Sequence, residues 1–180
     1  MNTMRLSSLA AAVLLSAGLF ASCGPLACVK GTGDVVKKDL AVTGFSGIEL
    51  MGALYVQLAR GTEPRVTAEG QSNLIDLLET TVSNGVWKIR TRECYSTDKP
   101  FVVHISAPVI DRVHVQGSGD VTGTDAFEAE VMDLAVQGSG DIKMNVTAKQ
   151  VVAMVQGSGD IALQGSASDL TCTLQGSGDV

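Results

Sequence analysis

Aromatic residues are scarce in this chain, with one Trp, two Tyr and four Phe among 180 residues, and there are only four prolines. Against that poverty stands an abundance of Gly, Val, Thr and Ala. The balance favours a β-fold with many tight turns over a bundle of helices. Basic residues are nearly missing from the second half. From His114 to Val180 there are two, Lys143 and Lys149, against nine acidic residues, a net charge of −7. From Cys23 to Val113 ten basic and ten acidic residues balance. A nucleic-acid binder carries the opposite sign, and an anionic surface disfavours docking on anionic lipid. Membrane attachment must then come through a covalent lipid. There is no C-x-x-C or His/Cys spacing for zinc. The longest apolar run, Leu9 to Ala21, is too short for a permanent membrane helix.

That run has a different reading. Arg5 precedes it and small residues close it, the pattern of a signal peptide over residues 1–22. It ends Leu19-Phe20-Ala21-Ser22-Cys23-Gly24, which resembles a bacterial lipobox with Cys23 as the lipidated first residue; Phe20 stands where that motif usually has Leu. The alternative is an ordinary secretory signal beside a structural cysteine. Cys28, after Pro25-Leu26-Ala27, is a poorer acceptor. Three cysteines remain, an odd number for an oxidising compartment. Cys172 falls at an inward strand position and is expected to be a buried thiol. Cys28 and Cys94 are a candidate disulfide, although sequence alone does not fix connectivity. Residues 23–40 are expected to form a lipidated tether and residues 41–180 one domain, long enough to bury a core.

The strongest signal is internal repetition. V-Q-G-S-G-D occurs at 115–120, 136–141 and 155–160, and L-Q-G-S-G-D at 174–179. The glutamines Gln116, Gln137, Gln156 and Gln175 are 21, 19 and 19 residues apart. A looser echo, Lys30-Gly31-Thr32-Gly33-Asp34-Val35, lies near the mature N-terminus. Between motifs the apolar residues alternate: Met132, Leu134, Val136; Ile142, Met144, Val146; Val151, Ala153, Val155; Leu170, Cys172, Leu174. Alternation of period two marks half-buried strands. Each repeat reads as strand, G-S-G-D corner, strand, variable corner. Such a unit buries its apolar face only by stacking on the next, about 4.8 Å away. The expected fold is all-β, a parallel β-helix (solenoid) with coils of 19–21 residues. The paired glycines Gly117 and Gly119, Gly138 and Gly140, Gly157 and Gly159, and Gly176 and Gly178 are expected to supply backbone conformations closed to other residues. Ser and Asp would bond the turn backbone, and the glutamines would stack as a ladder.

Several segments, in order and spacing, resemble the head GIN domain family, the putative auto-transporter adhesins of Gram-negative envelopes. They are G-F-S-G-I-E-L-M-G-A-L-Y-V-Q-L-A-R-G at 44–61, V-T-A-E-G-Q-S-N-L-I-D-L-L at 66–78, V-S-N-G-V-W-K-I at 82–89, and the G-S-G-D corners. The resemblance covers roughly 41–180. It implies a β-helix throughout and a chain that continues past Val180, where this sequence stops in mid-repeat.

Two chemistries compete with a purely structural corner. Asp120, Asp141, Asp160 and Asp179 recur once per coil and are weak calcium candidates. A calcium site takes six to eight oxygens, and nothing else acidic keeps their register. A polysaccharide-active enzyme needs paired carboxylates, or a base with charge stabilisers, on one outer face. The outward residues Asp133, Ala135, Lys143, Asn145, Val152, Met154, Ala162, Thr171 and Thr173 are mostly small and neutral. His104 and His114 read as surface residues without partners. Gly117-Ser118-Gly119 lacks the nucleophile-elbow frame, and no Lys-Ser/Thr follows as in a phosphate loop. Trp87 is either a binding aromatic or a cover for a sheet margin. The sequence therefore predicts a non-enzymatic exported lipoprotein of the cell envelope, expected at the outer membrane, with no cofactor. It would present a β-surface to an envelope protein or a glycan. The alternative is a structural or stress-linked periplasmic protein without an external ligand.

Overall fold

The computed structural model describes residues 28–180; the signal-peptide segment and Cys23 lie outside the described residues. In chain order the elements are β1 (Val29–Lys30), β2 (Val35–Leu40), β3 (Gly47–Gly52), β4 (Tyr55–Arg60), β5 (Arg65–Gln71), one helical turn α1 (Ser72–Ile75), β6 (Val82–Ser83), β7 (Val86–Ile89), β8 (Tyr95–Ser96), β9 (Val102–Ala107), β10 (Arg112–Gly117), and three long strands β11 (Asp120–Gly138), β12 (Ile142–Gly157) and β13 (Ile161–Gly176). Among the described residues no helix is long and apolar enough to cross a membrane.

The chain is all-β, and most strands belong to one sheet of eleven. The long strand β11 joins its two arms. Asp120–Gly123 pairs with β4, which leads on to β9, β5 and β2. Asp133–Gly138 pairs with β10, which leads on to β3, β7 and β6. The sheet must curl for one strand to serve both arms. Their inner faces then share a core in which Ile48, Leu50 and Trp87 from one arm meet Val56, Leu58 and Ile105 from the other.

The repeats stack in parallel and in register. Leu50, Val115, Val136, Val155 and Leu174 are successive partners, and so are Gly52, Gly117, Gly138, Gly157 and Gly176. Leu134, Met144 and Val155 are buried, as the alternation predicts. Cys172 is exposed, against the expectation of a buried thiol. Its partner in register is the buried Ala153, so its face is the inward one, yet no described strand lies beyond β13 to cover it.

The first half departs from parallel coils. β2 with β5, β5 with β9, and β6 with β7 are antiparallel. Asn84 and Gly85 both have positive φ, 52° and 75°, the geometry of a two-residue hairpin turn that reverses the chain. The expectation of coils throughout therefore fails over this region. Residues 29–40, expected as tether, supply β1 and β2, and the echo at 30–35 is not a stacked coil.

Candidate functional site

The corner column comes first because the repeat is built around it. The carbonyl of Gly117 accepts the N–H groups of Ser139 (2.8 Å) and Gly140 (3.1 Å) from the next coil, and Gly138 does the same for Ser158 and Gly159. Gly52 accepts from Ser118 and Gly119 in the same way. Each Asp adds a further link: Oδ1 of Asp120 accepts the Asp141 N–H at 3.0 Å, Asp141 accepts from Asp160 at 2.9 Å, and Asp160 accepts from Asp179 at 2.9 Å. These carboxylates stitch backbone to backbone. Among the described residues no three His, Cys, Asp or Glu side chains converge as a metal site.

Both glycines of a corner leave no room for a Cβ, which on the first of each pair would fall 2.0 to 2.6 Å from a carbonyl oxygen of the coil before; they differ in backbone angle. Gly117, Gly138, Gly157 and Gly176 lie at φ of 123° to 143°, a region that strongly favours glycine. Gly119, Gly140, Gly159 and Gly178 do not have positive φ, contrary to expectation. Their need is for space: a Cβ on any of them would fall 1.9 to 2.3 Å from a carbonyl oxygen of the coil before. The glutamine ladder is partial. Gln156 donates to Gln175 (3.0 Å), whereas Gln116 donates to Glu49 (2.7 Å).

The outer faces carry charged pairs. His104 Nε2 lies 2.9 Å from Glu69 Oε2, and Lys37 also reaches that carboxylate. The His104 hydrogen bond first, and Lys37 second, hold the Glu69 carboxyl below its ordinary range. Thr67 and then Arg65 do the same for Asp39. Both shifts favour the folded state above the ordinary carboxylate range, and that contribution fades as the pH falls through the lowered folded values. On the other arm Arg112 Nε donates to Asp133 at 3.0 Å. His114 Nε2 lies 3.2 Å from the same carboxylate but outside hydrogen-bond geometry. Both histidines thus have acidic neighbours, which the sequence did not reveal. The hollow beside His104 holds about 170 Å³, below the usual range for ligand sites, roughly 300–1,000 Å³.

Larger concavities of mixed character lie elsewhere, and one of them brings aromatic side chains together. A cleft of about 530 Å³ is lined by Gly52, Ala53, Tyr55, Tyr95, Phe101 and Lys99, with Thr91, Ser96 and Thr97 on its rim. Tyr55 is 54% exposed. Tyr95 packs edge-on against the buried Phe101, with ring centroids 5.3 Å apart. Burial first, and the neighbouring Tyr55 second, raise the Tyr95 hydroxyl above its ordinary pKa. One wall is β8, whose only strand partner is β1. Cys28 and Cys94 are joined there by a disulfide with Cα atoms 4.8 Å apart.

Sequence reasoning missed this cleft. A signal existed in Met51-Gly52-Ala53-Leu54-Tyr55-Val56, which sits in register with Gln116-Gly117-Ser118-Gly119-Asp120-Val121. It is a degenerate corner with Tyr in the Asp position. Gly52 keeps the positive φ, at 112°. Trp87, weighed as a binding aromatic, is fully buried beside Phe45, and its Nε1 donates to the Glu79 carbonyl.

A family model described as "Putative auto-transporter adhesin, head GIN domain" matches residues 44–180. The chain belongs to that family. Two solved structures resemble this head GIN domain. One, described as a putative adhesin from Bacteroides fragilis NCTC 9343, is 15% identical, with 84% of this chain and 98% of that chain covered and a TM-score of 0.51. The other, a putative adhesin from Parabacteroides distasonis ATCC 8503, is 17% identical, with 84% and 83% covered and a TM-score of 0.58. At such identities the likeness speaks for the fold alone. No curated protein matches the chain significantly.

Proposed function

We propose that this head GIN chain is a non-enzymatic lipoprotein of the bacterial cell envelope, a β-solenoid scaffold that presents its outer surface to a protein or glycan. The observation that carries the reading is the outer face of β3, β10 and the last parts of β11, β12 and β13, paired in parallel. Parallel register sets its side chains in columns: Gln116, Gln137, Gln156 and Gln175 in one, and His114, Ala135, Met154 and Thr173 in the next. A surface of repeated columns suits multivalent contact with an extended partner. It is poorly shaped for catalysis, which needs reacting groups to converge in a hollow. The solenoid reading draws on the successive parallel pairing of β3, β10, β11, β12 and β13.

Lipidation of Cys23 gives the scaffold an orientation. Five residues lead from Cys23 to Cys28, at most about 18 Å of extended chain. The β1–β8 end would then lie close to the bilayer. The acidic last coils, stacked beyond β11 through β12 and β13, would point away, the arrangement an anionic lipid surface favours.

Two measurements test the proposal. Cys23→Ser is expected to release the protein from the membrane fraction and abolish labelling by a fatty-acid analogue; a variant still labelled and membrane-bound would refute the lipid anchor. A photo-crosslinking residue in place of Met154, on the outer face, is expected to capture a discrete envelope component in living cells. No product there would overturn the scaffold reading in favour of a structural or stress-linked role.

A further inference from the structure

We infer that the cleft formed by Tyr55, Tyr95 and Phe101 is a binding site for a neutral saccharide. The inference rests on the interaction reading above and narrows it to one site and one ligand class. Three observations carry it.

The first is the convergence of aromatics. In a chain with two tyrosines, both line the same cleft, backed by Phe101. Tyr55 occupies the strand position that Asp120, Asp141 and Asp160 fill in the following coils. There the carboxylate accepts an N–H from the next coil. At the first coil that stitch is replaced: the Asp120 N–H bonds the Leu54 carbonyl instead. The side chain at position 55 is thereby freed from the ladder, and it is an aromatic ring left more than half exposed. Leaving so much ring in water forgoes the burial that ordinarily rewards an aromatic residue.

The second is charge. No carboxylate lines the cleft. Its single cation, Lys99, donates to the Gly33 carbonyl at 2.8 Å and lies 3.5 Å from Asp34. The ammonium is already partnered, so the cleft offers no free charge for an anion to pair with. What remains is aromatic surface with hydroxyls at Thr91, Ser96 and the two tyrosines. Sugars combine an apolar ring face with a rim of hydroxyl donors and acceptors, and this lining matches both parts.

The third is shape. The cleft is open and of ligand size, and its Tyr95 wall is held by the β1–β8 pairing and the Cys28–Cys94 bridge. A prearranged wall reduces the ordering cost of binding.

The test uses the mature chain and a panel of neutral oligosaccharides built from glucose, galactose or N-acetylglucosamine, titrated by calorimetry. At least one member is expected to bind. Tyr55→Ala is expected to weaken it about tenfold, the factor that one lost ring contact corresponds to, with an unchanged melting temperature because the residue is exposed. An acidic counterpart of the bound sugar, with a carboxylate in place of its primary hydroxyl, should bind no more tightly than the neutral one, as expected when the cleft offers no free charge to pair with. Vesicles carrying the bound sugar as a lipid headgroup, compared with plain phosphatidylethanolamine vesicles, separate a membrane-borne saccharide from a free one. Failure of the whole panel to bind, wild-type affinity in Tyr55→Ala, or tighter binding of the acidic sugar than of the neutral one would each overturn the inference. The Met154 crosslink reports on the other arm of the sheet, so the saccharide site and the scaffold reading fail separately.

Discussion

Gly140→Val is expected to destabilise the protein by about 3 kcal/mol or more, an overpacking cost at the upper end for a filled interior. A Cβ at position 140 would fall 2.0 Å from the Gly119 carbonyl oxygen and 2.9 Å from Val115 Cγ1. The first of these atoms is backbone. It cannot withdraw without disturbing the coil beneath, whose carbonyl at Gly117 accepts the N–H groups of Ser139 and Gly140. Asp141→Asn should be nearly neutral by comparison, because the amide oxygen can still accept the Asp160 N–H that Asp141 Oδ1 accepts now. Asp141→Ala removes that acceptor and should cost about 1 kcal/mol. Denaturant and thermal melts of the three variants, with and without millimolar calcium, decide the matter. A calcium-dependent rise in melting temperature that Asp141→Asn abolishes would turn the Asp column into a metal site, since a ligand that binds only the folded state must raise its stability.

Loss of the Cys28–Cys94 bridge is expected to have an effect of similar size. The two cysteines are 66 residues apart, and closing a loop of that length contributes about 4 kcal/mol in the chain-entropy account. The damage should begin locally. β1 pairs with β8 alone, through two residues on each strand, and a two-stranded ribbon of that size is marginal without a staple. Since β8 carries Tyr95, the saccharide cleft should loosen before the main sheet melts. The double variant Cys28→Ser/Cys94→Ser, unfolded in urea beside the wild type, should show a lower midpoint, and reductant should bring the wild type down to meet it. An identical midpoint in oxidised wild type and variant would show that the bridge contributes nothing.

Different residues were legible to different degrees. Leu134, Val136, Val151, Ala153 and Val155 announced their burial by alternation, because a strand sends successive side chains to opposite faces whatever its partners are. The G-S-G-D corners announced themselves by repetition. The difference between Gly138 and Gly140 was hidden, since Gly138 serves both a positive backbone angle and a close approach to the neighbouring coil, whereas Gly140 serves the close approach alone. The acidic neighbours of His104 and His114 were hidden for a related reason: Glu69 lies 35 residues from His104 in the chain, and only an antiparallel pairing of β5 with β9 brings them together.

The cleft was hidden most deeply. Tyr55, Tyr95 and Phe101 belong to three segments with no shared pattern. Their meeting depends on Gly52-Ala53-Leu54-Tyr55 serving as the first corner of the stack, although its letters resemble the others only at Gly52.

The sequence by itself determined that this chain is a β-protein of stacked repeats, with an acidic second half and membership of the head GIN family. These properties live in local alternation, repeated glycine turns and net charge, and each can be read from neighbours along the chain. The tertiary structure alone decided that the first half reverses direction to form antiparallel pairs, and that two tyrosines and a phenylalanine share a walled cleft beside a disulfide. Each of those depends on which strand lies next to which. Contacts between distant segments are chosen by the closure of the whole sheet around its core, and no short stretch of sequence records that choice.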